Sequence, residues 1–132
     1  MKKIRRVWQR YKSDCGVACV AMIAGVSYEQ AFEAFCFSEE AKKFYTSRGQ
    51  LIEALEELGF TMHWKMFRSW EEVPGCAIVP VNHRCNRKNF HWVVYDGKAV
   101  FDPNPNRPGR QKSFRRYRAS GWYLLLEIDH DR

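Results

Sequence analysis

The sequence predicts an α+β fold, with a helical N-terminal lobe packed on a C-terminal antiparallel β-sheet, from three observations. Apolar residues recur at helical spacing up to Gly59 and alternate with polar ones beyond it. Two Ser-x-x-Gln boxes and one Asp-Gly pair punctuate the chain where helices would start and a hairpin would fold back. Helix signals come first and strand signals second, without the alternation that builds a parallel sheet.

The first helix starts at Ser13 or Asp14, either of which can cap it, and runs from Cys15 through Ala24 to a stop at Gly25. It is apolar on nearly every side, as a central buried helix is. Ser27 to Gln30 is a capping box opening a second helix, with Ala31, Phe32 and Phe35 on one face. Ser47 to Gln50 opens a third, in which Leu51, Leu55 and Leu58 recur until Gly59. Phe60, Met62, Trp64 and Met66 then alternate with Thr61, His63 and Lys65. That is a half-buried strand, its Trp64 and methionines read as core and His63 as solvated. Residues 76–81 form a short apolar strand with Pro80 at an edge or at its end. Residues 90–95 and 98–101 flank Asp96-Gly97 as a hairpin, and 122–128 make the last strand. Between them, 102–118 is a long basic loop rich in Pro, Asn, Gly and Arg. With neither repeat nor linker, residues 1–132 are read as a single domain whose cleft lies where the first helix meets the sheet.

With 45% apolar residues, nine Phe, six Tyr and five Trp, the chain can fill a core, and general disorder is excluded. No apolar run nears the roughly 18 residues that span a bilayer. The net charge of +7 is concentrated in two blocks without acids: Lys2, Lys3, Arg5, Arg6, Arg10 and Lys12, and then Arg107, Arg110, Lys112, Arg115, Arg116 and Arg118. Such blocks suit a polyanion or an acidic partner, and equally a solvated face. Six cations before the apolar stretch 15–26 imitate a secretory leader. Asp14 at the boundary and a poor cleavage site at residues 24–27 argue against cleavage. Cys15, Cys19, Cys36, Cys76 and Cys85 are an odd set in a chain that needs no staples, so a reducing, cytoplasmic setting is expected, with Cys19 and Cys36 as small buried apolar residues.

Cys15 sits in the first turn of the first helix, where the helix terminus and neighbouring cations favour thiolate. A thiol nucleophile needs a base and a group to orient the base. His91 opens one strand of the hairpin, and Asp102 follows the other, so a turn at Asp96-Gly97 brings them together. Gln9 offers a side-chain amide that, with the Cys15 N–H, would hold the oxyanion of a tetrahedral intermediate. Taken singly, each has a structural reading as well: a buried cysteine at a helix start, an exposed glutamine.

Residues 9–22, containing Gln9 and Asp14-Cys15-Gly16, resemble the nucleophile region of the bacteriocin-processing, double-glycine-leader peptidases, family thirty-nine of the papain-like cysteine peptidases. His91-Trp92-Val93-Val94-Tyr95 and Val100-Phe101-Asp102-Pro103 resemble that family's histidine and Asp-Pro motifs, and the likeness spans most of residues 4–103. The resemblance implies a papain-like domain, read here as stand-alone where the family's peptidases commonly precede a membrane transporter and ATPase, that cuts a peptide, such as a leader ending in small residues like Gly, through a Cys thioester. It implies Gln9 as oxyanion donor, Cys15 as nucleophile, His91 as base and acid, and Asp102 as orienter. The same fold as an acyl transferase, a deamidase or a non-catalytic peptide binder is the first alternative. A basic nucleic-acid-binding module, using Trp8, Tyr11, Phe114 and Tyr117 beside the cations, is the second. Cys76, His83, Cys85 and His91 match no common zinc spacing, so neither metal nor cofactor is expected.

Overall fold

The computed structural model describes residues 3–82, 91–105, 110–111 and 117–127, with the backbone alone at 110–111. Three helices come first: α1 (Cys15–Ala24), α2 (Tyr28–Phe35) and α3 (Arg48–Glu57). Six strands follow: β1 (Met62–Met66), β2 (Ala77–Val81), β3 (His91–Tyr95), β4 (Val100–Phe101), β5 (Arg110–Gln111) and β6 (Trp122–Leu126). They form one antiparallel sheet in the order β1-β6-β2-β3-β4-β5.

Local chemistry explains the helix boundaries. Both Ser-x-x-Gln boxes are formed, Ser27 with Gln30 and Ser47 with Gln50, each satisfying two backbone donors at a helix start. Gly25, at φ +69, ends α1 in the left-handed conformation that glycine adopts without strain. Every residue of α1 is buried, because it lies between α2 and α3 on one side and β3 on the other.

The alternation along the central strands splits the apolar residues between two cores. Trp92 and Val94 of β3, Ile78 of β2 and Leu124 of β6 face the helices and pack with Val17, Val20, Leu51 and Leu55. Val93, Tyr95, Val79 and Val81 face away and pack under Trp70, Tyr117 and Tyr123. Both sheet faces are therefore covered, and β2 is apolar at all five positions for that reason. Among the described residues no single helix is long and apolar enough to cross a membrane, and α1 and α2 meet at 114°.

Several expectations are corrected. The strand after Gly59 begins at Met62, and of its apolar residues only Met62 is buried: Trp64 is 48% and Met66 65% exposed. β1 is an edge strand, and the alternation marks a face whether or not a covering layer extends over it. Pro80 lies in a central strand, between Trp92 on β3 and the β6 side. Its carbonyl accepts from Ser120 on that side, so its missing N–H faces the same way, where the β2–β6 ladder has stopped at Ile78. Cys36 is exposed at the end of α2, turned out at φ 53 between the stacked rings of Phe35 and Phe37. The expected loop 102–118 contains β5 and the buried Tyr117. Phe90, Ile128, His83, Cys85 and His130 lie outside the described residues.

Gly16, beside Cys15 in α1, is buried, and it is protein that approaches its backbone. A Cβ there would overlap Thr46 Oγ1 and lie 3.2 Å from Leu51 Cδ2. Gly16→Ala should therefore destabilise the fold by about 1–3 kcal/mol through overpacking. The double variant with Thr46→Ala should recover part of that loss in urea unfolding.

Candidate active site

Cys15 is the first residue of α1 and stands where that helix crosses the start of β3. Asp14 occupies the cap position without capping, since its backbone (φ −105, ψ 27) lacks the extended shape a capping side chain needs. Its buried carboxylate turns back instead and accepts the N–H groups of Arg10 (3.0 Å) and Tyr11 (2.9 Å) and the hydroxyl of Tyr28. Ser13 Oγ accepts from the Phe44 N–H at 2.8 Å and does not cap either. These bonds close the turn that delivers Cys15 to the sheet and carries Gln9 ahead of it.

The structure brings Cys15, His91 and Asp102 together. The backbone N–H of Trp92 donates to Cys15 Sγ at 3.4 Å, and the His91 ring also bonds to that sulfur. His91 Nε2 lies 2.8 Å from Asp102 Oδ1, which leaves Nδ1 as the ring nitrogen for the sulfur. The turn between β3 and β4 sets this distance. Asp96 Oδ1 accepts from the N–H groups of Lys98 (2.8 Å) and Ala99 (2.7 Å), and Val94 pairs with Phe101 directly before Asp102.

Burial opposes a charge on His91, but the Asp102 carboxylate and the Cys15 sulfur outweigh it and raise the imidazole pKa to about 10. Burial also pushes the Asp102 carboxyl up, and His91, the Asn104 N–H and the Tyr117 hydroxyl together bring it below its usual value. Each of the pair thus favours the charged form of the other.

Gln9 is tied to the same loop, its backbone N–H donating to the Pro103 carbonyl at 2.8 Å. One hydrogen of its side-chain Nε2 goes to the Tyr11 carbonyl (2.7 Å), while its Oε1 is buried without a hydrogen-bond partner. A primary amide has two such hydrogens, so the bond to Tyr11 orients the group and leaves a second donor. A cleft of about 380 Å³ opens here, lined by Gln9, Tyr11, Lys12, His91, Asn104 and Pro105 among others.

The basic block at the N-terminus is largely committed to the protein itself. Arg6 donates to the carbonyls of Asp102 (2.8 Å) and Asn104 (2.9 Å) and lies over the Trp8 ring. Arg10 pairs with Glu29 and stacks on Tyr28. Tyr117, read beside the second block as a nucleic-acid contact, is buried against Asp102. Arg6, Tyr117 and the Trp92 N–H adjoin the site in places the sequence did not assign to them. The only signal was proximity: Trp92 follows His91, and the other two lie in segments read by their charge. Among the described residues no three His, Cys, Asp or Glu side chains are grouped to hold a metal.

Residues 3–106 match the Peptidase C39 family. The fold is shared with the peptidase domain of Streptococcus ComA, a bi-functional ABC transporter involved in a quorum sensing pathway, at a TM-score of 0.71 and 19% identity over 96% of this chain and 100% of that one. It is shared with a double glycine motif protease from an AMS/PCAT transporter, solved in complex with the leader peptide, at 0.66 and 20% over 96% and 93%. The peptidase domain of Streptococcus mutans ComA aligns at 0.60 and 20% over 93% and 98%. None of the curated proteins matches the sequence.

The electrostatics give a signed expectation. A neighbouring anion favours the imidazolium, so His91 should keep its proton well above 6.5, up to about pH 10. Removing either raising partner, by Cys15→Ala or by Asp102→Asn, should lower the midpoint of its imidazole signals in an NMR titration. An unchanged midpoint in both variants would sink this account of the pair.

Proposed function

The chain belongs to the Peptidase C39 family of cysteine peptidases, and on that premise we propose that it cuts a peptide through a Cys15 thioester, with His91 and Asp102 completing a triad. The observation that carries the assignment is the sulfur of Cys15 held between the Trp92 N–H and a histidine whose far nitrogen is bonded to a buried carboxylate.

In this reading the proton shared by Cys15 and His91 rests on the imidazole, and the thiolate attacks the carbonyl carbon of the scissile bond. The C–S bond forms as the carbonyl π electrons move to oxygen. The Gln9 amide and the Cys15 N–H, a first-turn donor with no acceptor inside its own helix, hold that oxyanion. Collapse of the intermediate expels the amine, which takes the proton from His91. Water then gives a proton back to His91 and attacks the thioester, releasing the acid and restoring the thiolate–imidazolium pair. Asp102 keeps the ring in place through both halves.

For the substrate we propose a leader peptide ending in a double glycine. The support is family membership together with the double glycine motif protease of the same fold, solved with its leader peptide. We further read residues 1–132 as one peptidase domain. A reducing cytoplasm suits it, since Cys15, Cys19, Cys36 and Cys76 are free thiols and the nucleophile needs to remain one.

Mass spectrometry of double-glycine leader peptides incubated with the protein separates the chemistries. Cleavage after Gly-Gly is expected, whereas a gain of 1 Da would mean deamidation and a new isopeptide would mean transfer. Cys15→Ala should abolish cleavage, and iodoacetamide should label Cys15 first; preferential labelling of Cys76 would overturn the nucleophile. Gln9→Ala should lower kcat on the order of 100- to 1000-fold with KM little changed, as loss of one oxyanion donor does.

A further inference from the structure

Only one oxygen of the Asp102 carboxylate faces His91. Oδ1 accepts from His91 Nε2 at 2.8 Å and from the Asn104 N–H at 2.9 Å. Oδ2 accepts the hydroxyl of Tyr117 at 2.7 Å. Tyr117 is 4% exposed and belongs to the core on the sheet face away from the helices. Its backbone is anchored next door: the Arg118 N–H donates to Asn82 Oδ1 at 2.9 Å, the Arg118 carbonyl accepts from the Asn82 N–H at 2.8 Å, and Ala119 bridges to Val81. A phenol has one hydrogen to give, and here it goes to Asp102 Oδ2.

A carboxylate turns about its Cβ–Cγ bond unless both oxygens are held. We infer that Tyr117 is a positioning residue of the peptidase, its hydroxyl fixing Asp102 Oδ2 so that Oδ1 points at His91. This rests on the assignment of Asp102 as the orienting group. The structure gives Tyr117 a place that a merely space-filling aromatic would not need, because an aromatic without the hydroxyl would take from Oδ2, in a residue 2% exposed, its donor among the described residues.

Among the described residues, the titratable and charged groups facing Asp102 are His91 from β3, Arg6 from the N-terminal segment, Tyr117, and from α1 Cys19 with Cys15 beyond it. Removing the Tyr117 hydroxyl takes away a donor to the charged form and leaves the others in place. The sign is therefore fixed: the carboxyl holds its proton to higher pH.

Tyr117→Phe removes the oxygen alone. The expected result is a higher titration midpoint for the Asp102 carboxyl carbon by NMR and an acid limb of kcat/KM moved to higher pH. With it, kcat measured well below the unfolding transition should fall on the order of 10- to 100-fold, the worth of one hydrogen bond to a charged group, with KM little changed, while the carboxylate oxygen left without that donor lowers Tm by a few degrees. Site-specific 3-fluorotyrosine at 117, a stronger donor of nearly the same size, should move the midpoint the opposite way, and it decides the matter alone if Tyr117→Phe does not fold. An Asp102 midpoint that neither substitution moves overturns the proposal, as does activity lost only in step with thermal stability. Midpoints that shift as expected in a protein that cuts no leader peptide would keep the positioning role and overturn the substrate reading.

Discussion

Burying the charge of Asp102 is the constraint on which the site depends. A carboxylate that is 2% exposed is costly unless its oxygens are hydrogen-bonded. Its donors come from β3, from the loop after β4 and from the segment before β6. Arg6 adds the N-terminal segment by holding the carbonyls of Asp102 and Asn104, and the Gln9 N–H does the same at Pro103. Segments far apart in sequence converge because one charge requires them all. The proposed oxyanion donor and the proposed orienting group are consequently parts of one hydrogen-bonded unit.

Asp14 repeats the arrangement on the other side of Cys15. It too is buried, and it too takes a tyrosine hydroxyl, that of Tyr28, together with the N–H groups of Arg10 and Tyr11. The two carboxylates do different work. Asp14 shapes the turn that leads into α1, so its bonds fix where the sulfur enters. Asp102 holds one nitrogen of His91, so its bonds fix which ring nitrogen is turned to the sulfur. Between them lies the wholly buried α1, so the proposed nucleophile takes its position from a core helix and not from a loop.

Much of this was legible. The α+β order, the two capping boxes and the Asp96-Gly97 hairpin rest on local rules, and local rules fix helix starts and turns within a few residues. The nearness of His91 and Asp102 followed from the hairpin alone. What escaped depends on layers and partners that a period does not encode. Trp64 and Met66 alternate like core residues but lie on an edge strand beyond the cover of the helices. Pro80 sits centrally because the neighbouring ladder stops at Ile78, a fact of the sheet and not of the strand. Asp14 has the residue type of a cap and the backbone of something else.

The charge blocks show most clearly why composition misleads about a site. The cations before Cys15 were read as a field acting on the sulfur or on an acidic substrate. Arg6 spends its guanidinium on two backbone carbonyls, and Arg10 on Glu29 and the Tyr28 ring. Arg10 is offset by the Glu29 carboxylate, whereas Arg6 keeps its charge and acts on Asp102 from a fixed place. Lys12 differs, since it lines the cleft and none of the described acids forms an ion pair with it. Among the described residues that line the cleft, Lys12 is thus a cation without an ion-pair partner, while Arg6 and Arg10 fasten the fold around it.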